Sequence, residues 1–278
     1  MGVGMNELAA YLALGACTGV LAGLLGVGGG IVIVPMLVWI FSALPWGEAQ
    51  AASIAHLALG TSLASIVFTS ISSVRAHHQR GAVDWGLVKR LSPALLVGTL
   101  AGTWVASQMS TPLLKAVFIV FAFYVGLQML FNLKPSAGRD LPGTWGLSGV
   151  GAGIGVFSSL VGIGGGSVSV PFMSWCRVPL HRAIATSAAL GFPIAVAGAT
   201  GYILNGLHLV EQQGPQALPA PHLGYVYLPA LAGVALGSVL TAPFGAKLAH
   251  ALPVARLKQC FAVLLLLLGS RMLWSMLR

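Results

Sequence analysis

The chain has 278 residues, of which 57% are hydrophobic and only 7% are charged, and its formal net charge is +9. A soluble domain carries about 25% charged residues, so this composition excludes an ordinary water-soluble globule and predicts an integral membrane protein. The basic residues lie in short clusters between long apolar runs, without interleaved aromatic residues, which argues against a nucleic-acid partner and favours anchoring at a lipid surface.

Apolar stretches follow one another along the whole chain. A helix needs about 20 residues to cross the hydrocarbon core, and six stretches fit one crossing each. The first and fifth stretches are too long for a simple crossing, and both are interrupted by glycine. The stretches run at 8–41, 51–74, 91–107, 112–133, 144–175, 183–205, 224–248 and 253–275.

The two halves of the chain repeat each other in order. LLGVGGGIVIVPML at 24–37 aligns without a gap with LVGIGGGSVSVPFM at 160–173. An ordered series of this kind predicts a duplicated unit, with a first membrane repeat at 1–134, a linker at 135–143 and a second repeat at 144–278. The further matches are Gly60-Thr61-Ser62 with Ala185-Thr186-Ser187, Gly98 and Gly102 with Gly233 and Gly237, and Lys115 and Phe118 with Lys258 and Phe261.

Equivalent loops of the two halves carry opposite charge. The loop at 42–50 holds Glu48, whereas its counterpart at 176–182 holds Arg177 and Arg182, and the next pair of loops shows the reverse contrast. Because basic loops stay on the cytoplasmic side, opposite charge predicts that the halves are inverted.

The distribution of basic residues discriminates between two topologies. Eight plain crossings would divide the 14 basic residues eight against six and leave the halves in the same orientation. If each glycine-broken segment enters the membrane and turns back, three full crossings remain in each half and the division becomes eleven against three. We therefore predict an all-α integral membrane fold of two inverted repeats, each a glycine-broken helical segment (re-entrant or discontinuous) plus three transmembrane helices, with both termini periplasmic.

The glycine-broken segments are the candidate anion site. Irregular backbone at membrane depth is tolerated only where protein or a watery cavity covers it. The first N–H groups of a helix lack internal partners and carry partial positive charge, so two helix starts that meet near the midplane would bind an anion without a buried cation. The predicted contacts are Gly28, Gly29, Gly30 and Ile31 in the first half and Gly164, Gly165, Gly166 and Ser167 in the second.

Hydroxyl groups and one histidine lie near these segments in the sequence. Thr61-Ser62 and Thr186-Ser187 could donate to an oxyanion or bond back to their own helices. His56 lies one turn before Thr61, where it could couple transport to protons or serve only in packing. Ser167 replaces Ile31 at the second break, as an asymmetric substrate would allow.

The sequence contains no motif that indicates nucleotide hydrolysis, a metal site or catalysis. No GxxxxGK[ST], HExxH, CxxC or paired carboxylate is present, so we expect neither an enzyme nor a cofactor. The apolar runs also lack acidic residues that would bind cations.

The duplicated GxGGGxxxVP, the two Thr-Ser elements and Gly81-Ala82-Val83-Asp84-Trp85 resemble the TauE/SafE family, from about residue 10 to 275. This is the group of sulfite and sulfonate exporters also called toluene sulfonate uptake permeases. The second half lacks a clear Gly-x-Val-Asp-Trp element. The resemblance implies a bacterial inner-membrane transporter of sulfur-containing oxyanions such as sulfite, sulfonates or sulfoacetate.

The leading hypothesis is therefore a secondary transporter of small anions. A passive anion channel on the same scaffold and a membrane scaffold without transport are the alternatives. The expected partners are a small anionic substrate and the lipid bilayer, and the sequence leaves homo-oligomerisation open.

Overall fold

A computed structural model describes residues 4–26, 29–131, 138, 140–251 and 254–277, and these residues are mainly helical. The first half contains α1 (Met5–Leu25), α2 (Gly30–Ala43), α3 (Ile54–His78), α4 (Trp85–Ser107) and α5 (Thr111–Leu130). The second half contains α6 (Thr144–Val161), α7 (Gly166–Trp175), α8 (Leu180–Gln213), α9 (Leu228–Ala251) and α10 (Val254–Leu277). A 3₁₀ turn at Pro215–Ala217 and an antiparallel pair of strands, β1 (His222–Leu223) and β2 (Val226–Tyr227), connect α8 to α9. Parts of the predicted linker, 135–137 and 139, lie outside the described residues.

Six helices in the described part of the chain are long and apolar enough to cross a membrane: α1, α3, α5, α6, α8 and α9. The number equals the predicted number of full crossings, but the set differs. The first limbs of the two glycine-broken segments have 21 and 18 residues, so each is already long enough to cross. α8 continues to Gln213, well beyond the apolar stretch, and its last three residues are polar and exposed.

Each glycine-broken segment folds as a helical hairpin. A Cβ at Gly233, near the start of α9, would meet Tyr11 of α1 at 2.5 Å, and Phe41 at the end of α2 lies edge-on to Tyr227, just before α9. The start of α1 and the end of α2 therefore lie at the same end of α9. In the second half, Arg177 after α7 pairs with Asp140 before α6 at 3.3 Å.

Glycines allow two pairs of helices to pack backbone against backbone. A Cβ at Gly15, Gly19 or Gly23 of α1 would collide in turn with Val234, Ser238 and Ala242 of α9. The contacts advance together along both chains, so α1 and α9 are parallel. α4 and α6 pack in the same way, with Gly98 and Gly102 of α4 against Ala152 and Val156 of α6.

Two other pairs run antiparallel. Gly60 of α3 lies against Tyr202 of α8, while Gly191 of α8 lies near Ser70 of α3. α5 and α10 also run in opposite directions, since Gly126 meets Leu266 and Gly269 faces Phe123. α3 and α8 are the most buried of the candidate spans, and they place their middle residues between the two hairpin turns.

Candidate functional site

The glycines that bound the two breaks have matching backbone conformations. Gly26 and Gly162 end α1 and α6 with φ of 66° and 72°, and Gly29 and Gly165 precede α2 and α7 with φ of 75° and 76°. All four residues adopt the left-handed backbone conformation, which costs a residue with a side chain about 1–2 kcal/mol. Gly28 lies outside the described residues, so its predicted role stays a prediction.

The breaks come together in the centre of the molecule. A Cβ on Gly30, the first residue of α2, would collide with the carbonyl oxygen of Gly162. Around the second break, the carbonyl oxygen of Gly164 lies 3.3 Å from the Cβ position of Gly191 in α8. The start of α2 and the end of α6 are therefore in direct contact.

The first N–H groups of α2 and α7 precede the hydrogen-bonded part of each helix. Val32 N–H donates to the carbonyl of Gly29 at 3.0 Å, and Val168 N–H donates to that of Gly165 at 3.0 Å. No side chain of the described residues caps either helix start. The N–H groups before these two residues are those that a helix cannot pair internally; they belong to Gly30, Ile31, Gly166 and Ser167.

Ser62 and Ser187 each donate a hydrogen bond to the glycine break of the opposite half. The Ser62 hydroxyl donates to the carbonyl oxygen of Gly162 at 2.8 Å, and the Ser187 hydroxyl donates to that of Gly26 at 3.1 Å. In this conformation both hydroxyl hydrogens are engaged by backbone. Their predicted donation to an anion stays a prediction, and it would require these bonds to break.

Thr61 and Thr186 each accept a hydrogen bond from the segment that enters a helix of the opposite half. The N–H of Tyr227, just before α9, donates to Thr61 Oγ1 at 3.0 Å, and the N–H of Asp84, just before α4, donates to Thr186 Oγ1 at 3.0 Å. Asp84 in turn accepts a bond from Leu87 N–H and caps α4. Asp84, which belongs to the Gly-x-Val-Asp-Trp element, thus links α4 to the second half.

A small cavity lies between the first break and α8. It has a volume of about 10 Å³, which is room for one water molecule. The walls are Gly26, Thr69, Ser70, Ser73 and Gly191, with two alanines. Ser73 is buried, and its hydroxyl has no hydrogen-bond partner.

Sequence reasoning missed the hydroxyl residues of this cavity, which are Thr69, Ser70 and Ser73. A signal was present, because Ser65, Thr69 and Ser73 recur every fourth residue in an apolar helix and so share one face. The sequence did not show which of them keeps a free hydroxyl. Ser65 bonds back to Thr61 and Thr69 bonds back to Ser65, whereas Ser73 does not.

Comparison with known proteins assigns the family. The profile of the sulfite exporter TauE/SafE family matches residues 11–272. The chain belongs to this family. Its TauE/SafE membership and its apolar helices make it a multi-pass protein of a membrane-transporter family.

Relatives from distant organisms carry the same general description. A probable membrane transporter protein of Haemophilus influenzae is 34% identical over 94% of this chain and 96% of its own length. The probable membrane transporter protein YunE of Bacillus subtilis is 26% identical over 94% of this chain and 96% of its own. A third, from Methanocaldococcus jannaschii, is 27% identical over 94% and 93%. No solved structure gives a significant match.

The two half-sites of this TauE/SafE protein differ in polarity. Ser158 and Ser167 are buried with hydroxyls that lack partners, and the Cβ position of Gly165 is 3.4 Å from Ser158 Oγ. Their equivalents in the first half are Ala22 and Ile31, both apolar and buried. Among the described residues, free hydroxyl donors therefore gather at the start of α7 and not at the start of α2.

His56 lies at the beginning of α3, away from the breaks. Its Nε2 is 3.0 Å from the carbonyl oxygen of Ala106, and its ring stacks on Tyr225 with centroids 5.0 Å apart. Nδ1 is buried without a partner. The equivalent residue of the second half is His181, which is exposed, so only the first half has a buried histidine here.

Proposed function

We propose that this TauE/SafE protein is a secondary transporter of small anions, bound near the membrane midplane by backbone N–H groups at the starts of α2 and α7. The proposed substrates are sulfur-containing oxyanions: sulfite, sulfonates, sulfoacetate or thiosulfate. The observation that carries the proposal is the pair of matching breaks, each with two left-handed glycines, in contact through Gly30 and Gly162.

The hydrogen bonds around the breaks favour an anion over a cation. Carbonyl oxygens that would repel an anion are occupied by donors, because Ser62 bonds to Gly162 and Ser187 bonds to Gly26. The N–H groups at the starts of α2 and α7 remain, and the helix dipoles add partial positive charge there. Ser158 and Ser167 supply further free donors at α7.

Helix directions support an inverted arrangement of the two halves. α3 and α8 are equivalent by sequence and pack antiparallel, as do α5 and α10. Halves related by an axis along the membrane normal would place equivalent helices parallel. The proposed topology therefore has the basic face in the cytoplasm and both termini in the periplasm of a bacterial inner membrane.

The size of the cavity favours a carrier over an open channel. About 10 Å³ holds one water molecule, whereas a sulfur oxyanion has at least four heavy atoms. An anion would fit in this cavity only if its walls moved apart, and alternating access about the two hairpins would supply such a movement.

Flux measurements on the purified protein in proteoliposomes test the proposal. Sulfite, thiosulfate, sulfonates, sulfate and chloride are first ranked by thermal shift. The best ligand is then loaded inside the vesicles, and counterflow of labelled ligand is measured. A carrier gives saturable counterflow; unitary currents without counterflow would establish a channel, and the absence of both binding and flux would leave a scaffold.

A further inference from the structure

The outer surface between α3 and α9 carries a groove that the anion site does not use. Its volume is about 500 Å³. The two helices run parallel here, because Thr69 contacts Ser238 and the Ser72 hydroxyl donates to the carbonyl of Val239 at 2.9 Å. The second bond pairs the Ser72 hydroxyl and the Val239 carbonyl in the groove wall with each other. The lining residues are Phe68, Ile71, Ser72, Arg75, Ala76, Gln79, Val239 and Pro243.

The groove changes from apolar to polar along the helices. Phe68 and Ile71 are 48% and 53% exposed, as expected of side chains that face acyl chains. One and two turns farther along α3, Arg75 and Gln79 are exposed at the basic end of the helix. Apolar surface and a cation thus follow each other in the order in which a phospholipid presents its tail and its phosphate.

Arg75 has no carboxylate partner among the described residues. The chain has five acidic residues. Asp140 pairs with Arg177, and Asp84 caps α4, while the three glutamates lie in segments that the proposed topology places on the opposite membrane face. The described residues therefore leave Arg75 open to an anionic group from outside the chain.

We propose that the groove between α3 and α9 binds one anionic phospholipid, with its phosphate on Arg75 and an acyl chain along Phe68, Ile71 and Pro243. Basic pockets between membrane helices bind anionic headgroups in this way on the cytoplasmic face. A lipid at this place would rest on α3, which carries both Ser62 and Ser73.

Native mass spectrometry of the delipidated full chain tests the lipid site. Phosphatidylglycerol and phosphatidylcholine are added separately and the bound lipids are counted. We expect one phosphatidylglycerol to bind in preference to phosphatidylcholine. Arg75→Ala should weaken that binding about fivefold, since one cation near the surface contributes about 1 kcal/mol. Arg90→Ala, which removes another exposed cation from α4, should leave it unchanged.

A second variant examines the acyl chain independently of charge. Ile71→Trp fills the groove while it keeps Arg75, and it should weaken binding of long-chain phosphatidylglycerol. Equal binding by Arg75→Ala and the wild type would overturn the proposal. Full competition by water-soluble glycerophosphate would reduce the site to a simple anion site, and protection of the groove by dimerisation would assign it to a second copy of the chain; either result would also overturn it.

Discussion

His77 and Tyr202 occupy equivalent positions in α3 and α8, and each bonds to a carbonyl near the end of a glycine-broken helix. His77 Nε2 lies 3.0 Å from the carbonyl oxygen of Gly23, and the Tyr202 hydroxyl donates to that of Ser159 at 3.0 Å. Gly23 and Ser159 are themselves equivalent in the repeat. The last carbonyls of a helix lack partners within it. Different side chains thus provide a hydrogen-bond partner for such a carbonyl in the two halves.

Removal of the tyrosine hydroxyl should weaken the second hairpin. Ile163 N–H bonds to Ser158, so it does not satisfy Ser159, and Tyr202→Phe would leave that carbonyl unpaired in a buried place. We expect a loss of about 1 kcal/mol in the free energy of unfolding. Denaturant titration in detergent measures it. Tyr124→Phe, at a side chain that is 63% exposed, is the control, and equal stability of the two variants would contradict the assignment.

The sequence predicted the main features of the fold but not the partners of its polar groups. The repeated GxGGG located both breaks to within a few residues. Each break needs the left-handed conformation at two of four successive residues, and glycine is the residue that adopts it readily. The alignment also placed Thr61 and Thr186 at equivalent sites. It did not reveal that the Ser62 hydroxyl donates to the carbonyl of Gly162, because that hydrogen bond joins residues 100 positions apart. For the same reason, the free hydroxyl of Ser73 depends on packing that one sequence does not encode locally.

The left-handed glycine before α7 should not tolerate a side chain. Gly165→Ala forces an L-residue to φ near 76° and places its Cβ 2.5 Å from Ile194 Cδ1. We expect a loss of about 1–2 kcal/mol in stability, together with reduced anion binding. Gly153→Ala is the matched control, since its Cβ meets nothing within 4 Å and alanine favours the helix by about 1 kcal/mol. Thermal unfolding of both variants, with and without anion, makes the comparison.

Hydroxyl donors at the start of α7 should contribute to anion affinity. Ser167→Ala removes a buried hydroxyl that has no protein partner, so the folded protein loses little stability. If that hydroxyl donates to the bound anion, the dissociation constant should rise about tenfold, as expected for a charged hydrogen bond of about 1.5 kcal/mol. Ser174→Ala removes an unpartnered hydroxyl from the other end of the same helix. Isothermal titration should separate the two variants, and equal affinities would remove Ser167 from the site.

Labelling of single cysteines tests the inverted topology. Glu48→Cys and Arg177→Cys are introduced separately after the three native cysteines have been replaced. An impermeant maleimide applied to whole cells should label position 48 and not position 177, because inversion places these equivalent loops on opposite membrane faces. Permeabilised cells show that both positions are reactive. Labelling of both from the same side would exclude inverted halves and a pocket formed from opposed helix starts.

Protonation of His56 should couple anion binding to pH. Nε2 is engaged by Ala106, and Nδ1 is buried, so a second proton would place a charge in a buried position. Protonation would therefore disfavour this conformation of the protein, and anion uptake should depend on pH in the range in which histidine titrates. His56→Gln keeps a hydrogen-bond donor but cannot titrate, and it should flatten the pH dependence of uptake. His181→Gln, at the exposed equivalent position, should leave the wild-type profile intact. If His56→Gln retains that profile as well, the imidazole serves only to pack against Tyr225.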